Sequence, residues 1–462
     1  MDVVWLVLDS LSFDATPFAD DGLETMPELA SLAEAHGIIF QQAYAPGPLS
    51  PSSHASFFTG KLPSKTGMHE ANPFFDGTTE TIAGMLSDTH HSSLISVNNF
   101  LFTGLEQDFD AHDDLTTSYM LFEDGDDPRQ FAKQWSGNSR LRRYISFVLD
   151  SDTPLKSCAN GLNYMLRTKL GGQQYLEDIP KKLGDDTENY QYALTINQRI
   201  RDSLTNQRDQ FVVANYMDVH PPLAPSQDAI DAVVTNHRDQ LPIGAATERV
   251  TDDSEKSFSV EAMDQLYRAA VWDLDRKVAP LIADLIADDI FVAVTADHGR
   301  TYSSTPYSEK RRHVPLILFH PDEDSRVITK TVDLRALPAT TLDAIDLPHE
   351  DAGKSLFQAS DDRVAVTEII YNTMMLEDGG IMVDHEGKVD PETHHDIVLK
   401  QGEGAIELRD GVRTSTWGPD DVIQQLTEVG SDIHDEGLYV PGADQSGYDD
   451  VMQQRLEDLG YM

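Results

Sequence analysis

The chain has 462 residues and a formal net charge of −44, from 79 Asp and Glu against 35 Lys and Arg. Hydrophobic residues still make up 40% of it, enough for a sizeable core, which excludes a wholly disordered protein. A surface this acidic repels nucleic acid and anionic membranes, so neither is expected as a partner.

Residues 3–8, Val-Val-Trp-Leu-Val-Leu, follow Met1-Asp2 directly and read as a buried strand that ends at Asp9. The start is not basic, and no apolar run approaches a membrane span, so a cytoplasmic location is expected. A helix is predicted from about Thr25 to His36, with Thr25 as N-cap, Pro27 in its first turn and Gly37 as its stop. A strand over 37–44 leads to Ser50-Pro51-Ser52-Ser53-His54-Ala55-Ser56-Phe57-Phe58-Thr59-Gly60, which sets a hydroxyl at a helix start. Residues 93–97 form the next strand. Residues 118–209 read as a largely helical, charged insertion, with Arg140, Arg142 and Arg143 on a solvated face.

A strand over 210–217 runs into Asp218-Val219-His220-Pro221-Pro222. Apolar residues at helical spacing between Glu261 and Asp288 then deliver the chain to a strand over 290–295 and to Asp297-His298-Gly299. A strand over 314–319 follows. Beyond Gly353-Lys354-Ser355-Leu356 the pattern turns hairpin-like, with strands over 364–371, 380–384 and 397–407 and a closing helix over 451–459. The single cysteine, Cys158, rules out an internal disulfide framework.

Alternating strands and helices predict an α/β fold, a three-layer α/β/α sandwich on a mostly parallel sheet, through about residue 355. Residues 356–462 are expected to form a small α+β domain with an antiparallel sheet. Ligands of such sheets collect beyond the carboxyl ends of strands, where Asp9 and Asp297 would both lie.

Ser50 lies nine and ten places ahead of Thr59-Gly60. With Asp9, Asp218 to Pro222, Asp297-His298-Gly299, His313-Val314-Pro315, Gly353 to Leu356 and Leu459-Gly460-Tyr461, this order resembles the sulfatase branch of the alkaline phosphatase superfamily, in a haloarchaeal form. The resemblance implies one divalent metal held by Asp9, Asp297 and His298 with the Ser50 oxygen, and Ser50 as nucleophile. It implies His220 as a substrate-side histidine that binds the anion or protonates the leaving group. His313 has a similar match, His54 and Lys61 are candidate anion or supporting contacts, and Arg300, directly after Gly299, is a candidate for the bidentate contact to the anion of a small-molecule or glycan sulfate or phosphate ester. The imidazole ligand favours manganese, zinc or iron over calcium or magnesium, which prefer oxygen.

Ser52 and His54 stand where the family pattern has Pro and Arg, which argues against conversion of Ser50 to formylglycine. Ser12 replaces a frequent Arg, and the family lysine ahead of the Val-Pro pair has no clear counterpart. A sulfatase-like hydrolase is therefore the expected function. The alternatives are a phosphotransferase that passes a phosphate-linked head group to a sugar or lipid, and a non-catalytic anion-binding relative. The sequence sets no oligomeric state.

Acidic residues are spread along the chain rather than gathered in a tail, as in a protein adapted to concentrated salt. Screening there contracts to about 3 Å at 1 M and self-repulsion fades. The thermal midpoint is expected to rise between dilute buffer and molar potassium chloride; an unchanged midpoint would contradict the halophilic reading.

Overall fold

The structure, a computed structural model, describes residues 1–19, 24–115, 147–148, 151, 153–169, 192–205, 208–236, 238, 241–243, 259–348, 352–358, 360, 362–371 and 393–439. Eight strands form the main sheet: β1 (Val3–Leu8), β2 (Gly37–Tyr44), β3 (His91–Ser96), β4 (Ala111–Asp114), β5 (Gln210–Tyr216), β6 (Phe291–Thr295), β7 (His313–Phe319) and β8 (Arg326–Asp333). Their order is β4-β3-β5-β1-β6-β7-β2-β8. All neighbours run parallel except β7, which is antiparallel to both β6 and β2. Every residue of β1, β5 and β6 is buried, as expected of parallel strands covered on both faces.

Helices α1 (Pro27–His36), α2 (Ser50–Thr59), α3 (Ala193–Ser203) and α4 (Val260–Ala287) cover this sheet. Trp5 of β1 packs on Phe57 and Phe58 of α2, with ring centroids 6.2 and 6.3 Å away. Ile196 and Ile200 bring α3 onto the core, and the Tyr216 hydroxyl donates to Asn197 at 2.8 Å. The consequence for function is geometric: β1, β3, β5 and β6 all end at one edge, and the reversed β7 begins there.

A second sheet, β9 (Ala365–Tyr371), β10 (His394–Gln401), β11 (Gly404–Arg409) and β12 (Val412–Trp417), is antiparallel and packs against α5 (Asp420–Asp435). It is tied to the loop after β2: the Thr367 hydroxyl donates to the Ala45 carbonyl at 2.7 Å and the Glu368 N–H to that of Pro46 at 2.9 Å. Among the described residues, no helix is long and apolar enough to cross a membrane.

Several expectations need correction. Thr25 does not cap α1, because its hydroxyl donates to the Ala15 carbonyl; Asp275 of α4 accepts from the Glu28 and Leu29 N–H groups instead, each at 2.9 Å. The strand expected over 397–407 is two strands, turned at Gly402 with φ 53°. β4, β8 and β12 were not anticipated, since edge strands that are largely exposed carry no apolar run. Nor was α5. Arg140, Arg142, Arg143, the strand over 380–384, the helix over 451–459 and Leu459-Gly460-Tyr461 lie outside the described residues.

Because the Asp275 carboxylate satisfies two otherwise orphaned N–H groups, Asp275→Ala should cost about 1–2 kcal/mol in denaturant unfolding. A loss within error of zero would mean that water caps α1 equally well.

Candidate metal and nucleophile site

The sheet edge brings four strand ends together. Asp9 follows β1 and Asp297 follows β6, and these strands are hydrogen-bonded neighbours. Ser10, at φ 65°, turns the chain so that its N–H meets Asp297 Oδ1 at 3.2 Å. The turn after β2 delivers Ser50 as the first residue of α2, with Pro51 fitting the first turn and Gly60, at φ 72°, closing the helix.

Asp9, Asp297 and His298 are all buried, and each offers a ligand atom within 4.8 Å of the others. The Ser50 hydroxyl donates to Asp297 Oδ2 at 2.7 Å and lies 3.5 Å from Asp9 Oδ2. His298 Nδ1 faces the Gly299 carbonyl at 2.8 Å, which places the ring proton on Nδ1 and leaves a lone pair on Nε2. That buried Nε2 has no hydrogen-bond partner among the described residues. Two adjacent buried carboxylates and an orphaned imidazole nitrogen are what a divalent cation would satisfy, so the donor set fits a metal.

The charges point the same way. Burial, and then the charge of Asp297, push the Asp9 carboxyl well above its usual range. Against its own burial, Asp297 is held below the usual range by His298, His54 and the Ser50 hydrogen bond. Burial pulls His298 below its ordinary value, despite the opposing charge of Asp297.

The remaining candidates are distributed unevenly. His54 sits behind the cluster, with Nδ1 3.0 Å from the Ser50 carbonyl and 3.6 Å from Asp297 Oδ2; burial lowers it to about 4. It braces the turn that carries Ser50, and Asp297, from inside the core. His220 lies within electrostatic reach of both His298 and Asp297, and burial lowers it to about 4. Ser53 donates to the Asp297 carbonyl at 2.5 Å instead of staying within its own turn.

Three residues are not brought to the cluster. Lys61 is exposed beyond the far end of α2, about 15 Å from Ser50 at 1.5 Å of helix rise per residue. Arg300 engages Asp14 through two hydrogen bonds of 2.8 and 2.9 Å, beside the rings of Tyr267 and Tyr302. His313 is stacked between Phe13 and Tyr44, with Nε2 2.8 Å from the Gln41 carbonyl. Ser12 acts as a stitch: its hydroxyl donates to the Lys310 carbonyl and accepts from the Arg300 N–H, both at 2.8 Å. At Gly299 a Cβ would lie 2.0 Å from that same Lys310 carbonyl, so only glycine fits after the Asp-His pair.

Residues that the sequence reading passed over complete the site. Asn98, just past β3, donates to Asp9 Oδ2 at 2.8 Å and to Ser50 Oγ at 3.0 Å. Its carbonyl accepts from the Phe100 N–H, which fixes the amide orientation. Asn215 of β5 donates to Asp9 Oδ2 at 3.2 Å. Asn98 follows a correctly read strand, so its position on the ligand edge was the available signal.

A model of the Sulfatase family matches residues 1–347. The fold is similar to that of a phosphonate monoester hydrolase of Agrobacterium radiobacter, at 14% identity, TM-score 0.55 and coverage of 99% of this chain and 94% of that one. A protein of the alkaline phosphatase superfamily from Vibrio parahaemolyticus also matches, at 14% identity, TM-score 0.53 and coverage of 94% and 86%. A structure solved in complex with its substrate D-glucosamine-2-N,6-O-disulfate gives 14% identity, TM-score 0.55 and coverage of 99% and 97%. At these identities the likeness is one of fold.

Cation binding requires the Asp9 carboxylate, whereas burial and Asp297 favour its protonated form. Manganese affinity measured by titration calorimetry should therefore rise with pH, with proton release on binding. Asp9→Asn should weaken it by about 100-fold or more. Affinity independent of both pH and Asp9 would remove the site.

Proposed function

The chain belongs to the sulfatase family, and from that premise we propose a metal-dependent hydrolase that cleaves a sulfate or phosphate ester with Ser50 as nucleophile. Ester hydrolysis at sulfur or phosphorus is the chemistry that membership supports. The observation that carries the finer reading is the Ser50 hydroxyl, 2.7 Å from Asp297 inside the Asp9, Asp297 and His298 group.

A divalent cation held by these three residues and Ser50 Oγ would neutralise the non-bridging oxygens of the ester. Manganese, zinc or iron suits the imidazole ligand best. Ser50 already directs its proton at Asp297, and Asn98 donates to its oxygen, so loss of the proton needs no rearrangement. The N-terminus of α2 adds a favourable field for the resulting anion. Attack of Ser50 Oγ would form the new bond to phosphorus or sulfur as its proton passes to solvent water, the bond to the leaving oxygen would break, and that oxygen would take up a proton from water to leave as the alcohol.

His220 Nδ1 faces the Pro221 carbonyl at 2.5 Å, and the ring is neutral at physiological pH. A neutral ring is not the acid that protonates the leaving group, which leaves His220 the role of a contact to the ester's anion. An unmodified serine favours the phosphate ester, because a phosphoserine is attacked at phosphorus while a serine sulfate is harder to discharge. The substrate class is a small-molecule or glycan ester. Catalysis would reside in residues 1–355, with residues 356–462 as a smaller unit.

Aryl sulfate, phosphate monoester and phosphate diester substrates, assayed in high salt with manganese, distinguish these chemistries. Ser50→Ala should lower turnover by on the order of 10³-fold or more while the melting midpoint stays near wild type. Intact mass should show no loss of two hydrogens at Ser50. A Ser50→Ala protein that keeps most of its activity would move the nucleophile elsewhere.

A further inference from the structure

We propose that Glu70 is a positioning residue for the nucleophile, acting through Ser52; the proposal rests on Ser50 being that nucleophile. Glu70 is fully buried, and its two carboxyl oxygens bridge two parts of the molecule. One meets the Ser52 hydroxyl in a short hydrogen bond, and the other accepts from the Ile370 N–H of β9 at 3.3 Å. Ser52 is the third residue of α2, and its Oγ is also 3.1 Å from the carbonyl of Leu49, the residue that caps the helix. A Cβ at Gly47 would lie 2.0 Å from the same oxygen. The Ser52 hydroxyl is therefore packed against the turn that aims Ser50.

Ser52 has one hydroxyl hydrogen and two acceptors in reach. A proton on Glu70 resolves the conflict: the carboxyl donates to Ser52, and Ser52 donates to Leu49. Burial, with the charge of Glu368 adding to it, raises Glu70 to about 7, which keeps that proton available near neutrality. Neither Glu70 nor Ser52 belongs to the Asp9, Asp297 and His298 group. Glu70 thus acts on geometry, not on the metal.

Three variants test this: Glu70→Ala, Glu70→Gln and Ser52→Ala. Glu70→Ala should lower kcat by about 10-fold or more, with KM within about twofold, since small misplacements of a nucleophile are costly. Glu70→Gln should restore most of the rate, because its amide N–H donates to Ser52 and its carbonyl accepts from Ile370. Ser52→Ala should match Glu70→Ala, and the double variant should be no worse than either single one. If Glu70→Ala does not fold, Ser52→Ala and Glu70→Gln carry the same comparison. Wild-type kcat in the alanine variants, equal damage in Glu70→Gln, or additive losses would overturn the proposal.

Crystal structures supply a readout that does not depend on turnover. The 2.7 Å contact from Ser50 to Asp297 should be broken in Glu70→Ala and kept in Glu70→Gln. If the wild type hydrolyses no ester at all, the functional reading falls, while this distance still decides the role of Glu70.

Discussion

Two carboxylates buried side by side, Asp9 and Asp297, are the constraint around which this molecule is arranged. Neither is exposed to solvent, and each raises the cost of ionising the other. The surroundings lower that cost with donors: Asn98 and Asn215 to Asp9, and Ser10 N–H, Ser50 and the His298 N–H to Asp297. Neutral donors moderate the repulsion between like charges, and a cation would remove it.

The β-sheet makes this juxtaposition unavoidable. β1 and β6 are paired in register, so the residues that leave their carboxyl ends emerge side by side. The reversed direction of β7 adds its first residues to the same edge, and β2 ends there as well. One edge therefore collects the acids, the imidazoles and the turn that carries Ser50, although Ser10 and Asp297, which meet there, are 287 positions apart in sequence.

The second sheet is part of the same construction. β9 bonds the loop after β2 through Thr367 and Glu368, and it reaches the first turn of α2 through Glu70. A further buried set lies on this seam: Glu368 accepts from the Ser64 N–H at 2.7 Å and meets His395 Nε2 at 3.0 Å. The neighbouring His69 is held neutral, lowered to about 3 by burial. The bonds of Glu368 fix the packing of β9 against the segment at Ser64, because any slip would leave a buried carboxylate without its donors.

The sequence by itself determined the alternation of strands and helices and the main strands over 3–8, 37–44 and 210–217, and it singled out Asp9, Ser50, Asp297 and His298, which the fold brings together. The strands were legible because buried parallel strands are continuous apolar runs, and the four residues because their order along the chain resembles that of one family. Edge strands such as β4 and β8 were not, since much of each is open to water. Only the tertiary structure decided which candidate side chains reach the cluster: helix length carried Lys61 away, Asp14 engaged Arg300, and Phe13 and Tyr44 enclosed His313. It also brought in Asn98, Asn215 and Glu70, whose partners are distant in sequence. Residue type and spacing specify which chemistry a side chain can offer, but the partner that claims it is set by long-range packing, which a linear pattern does not encode.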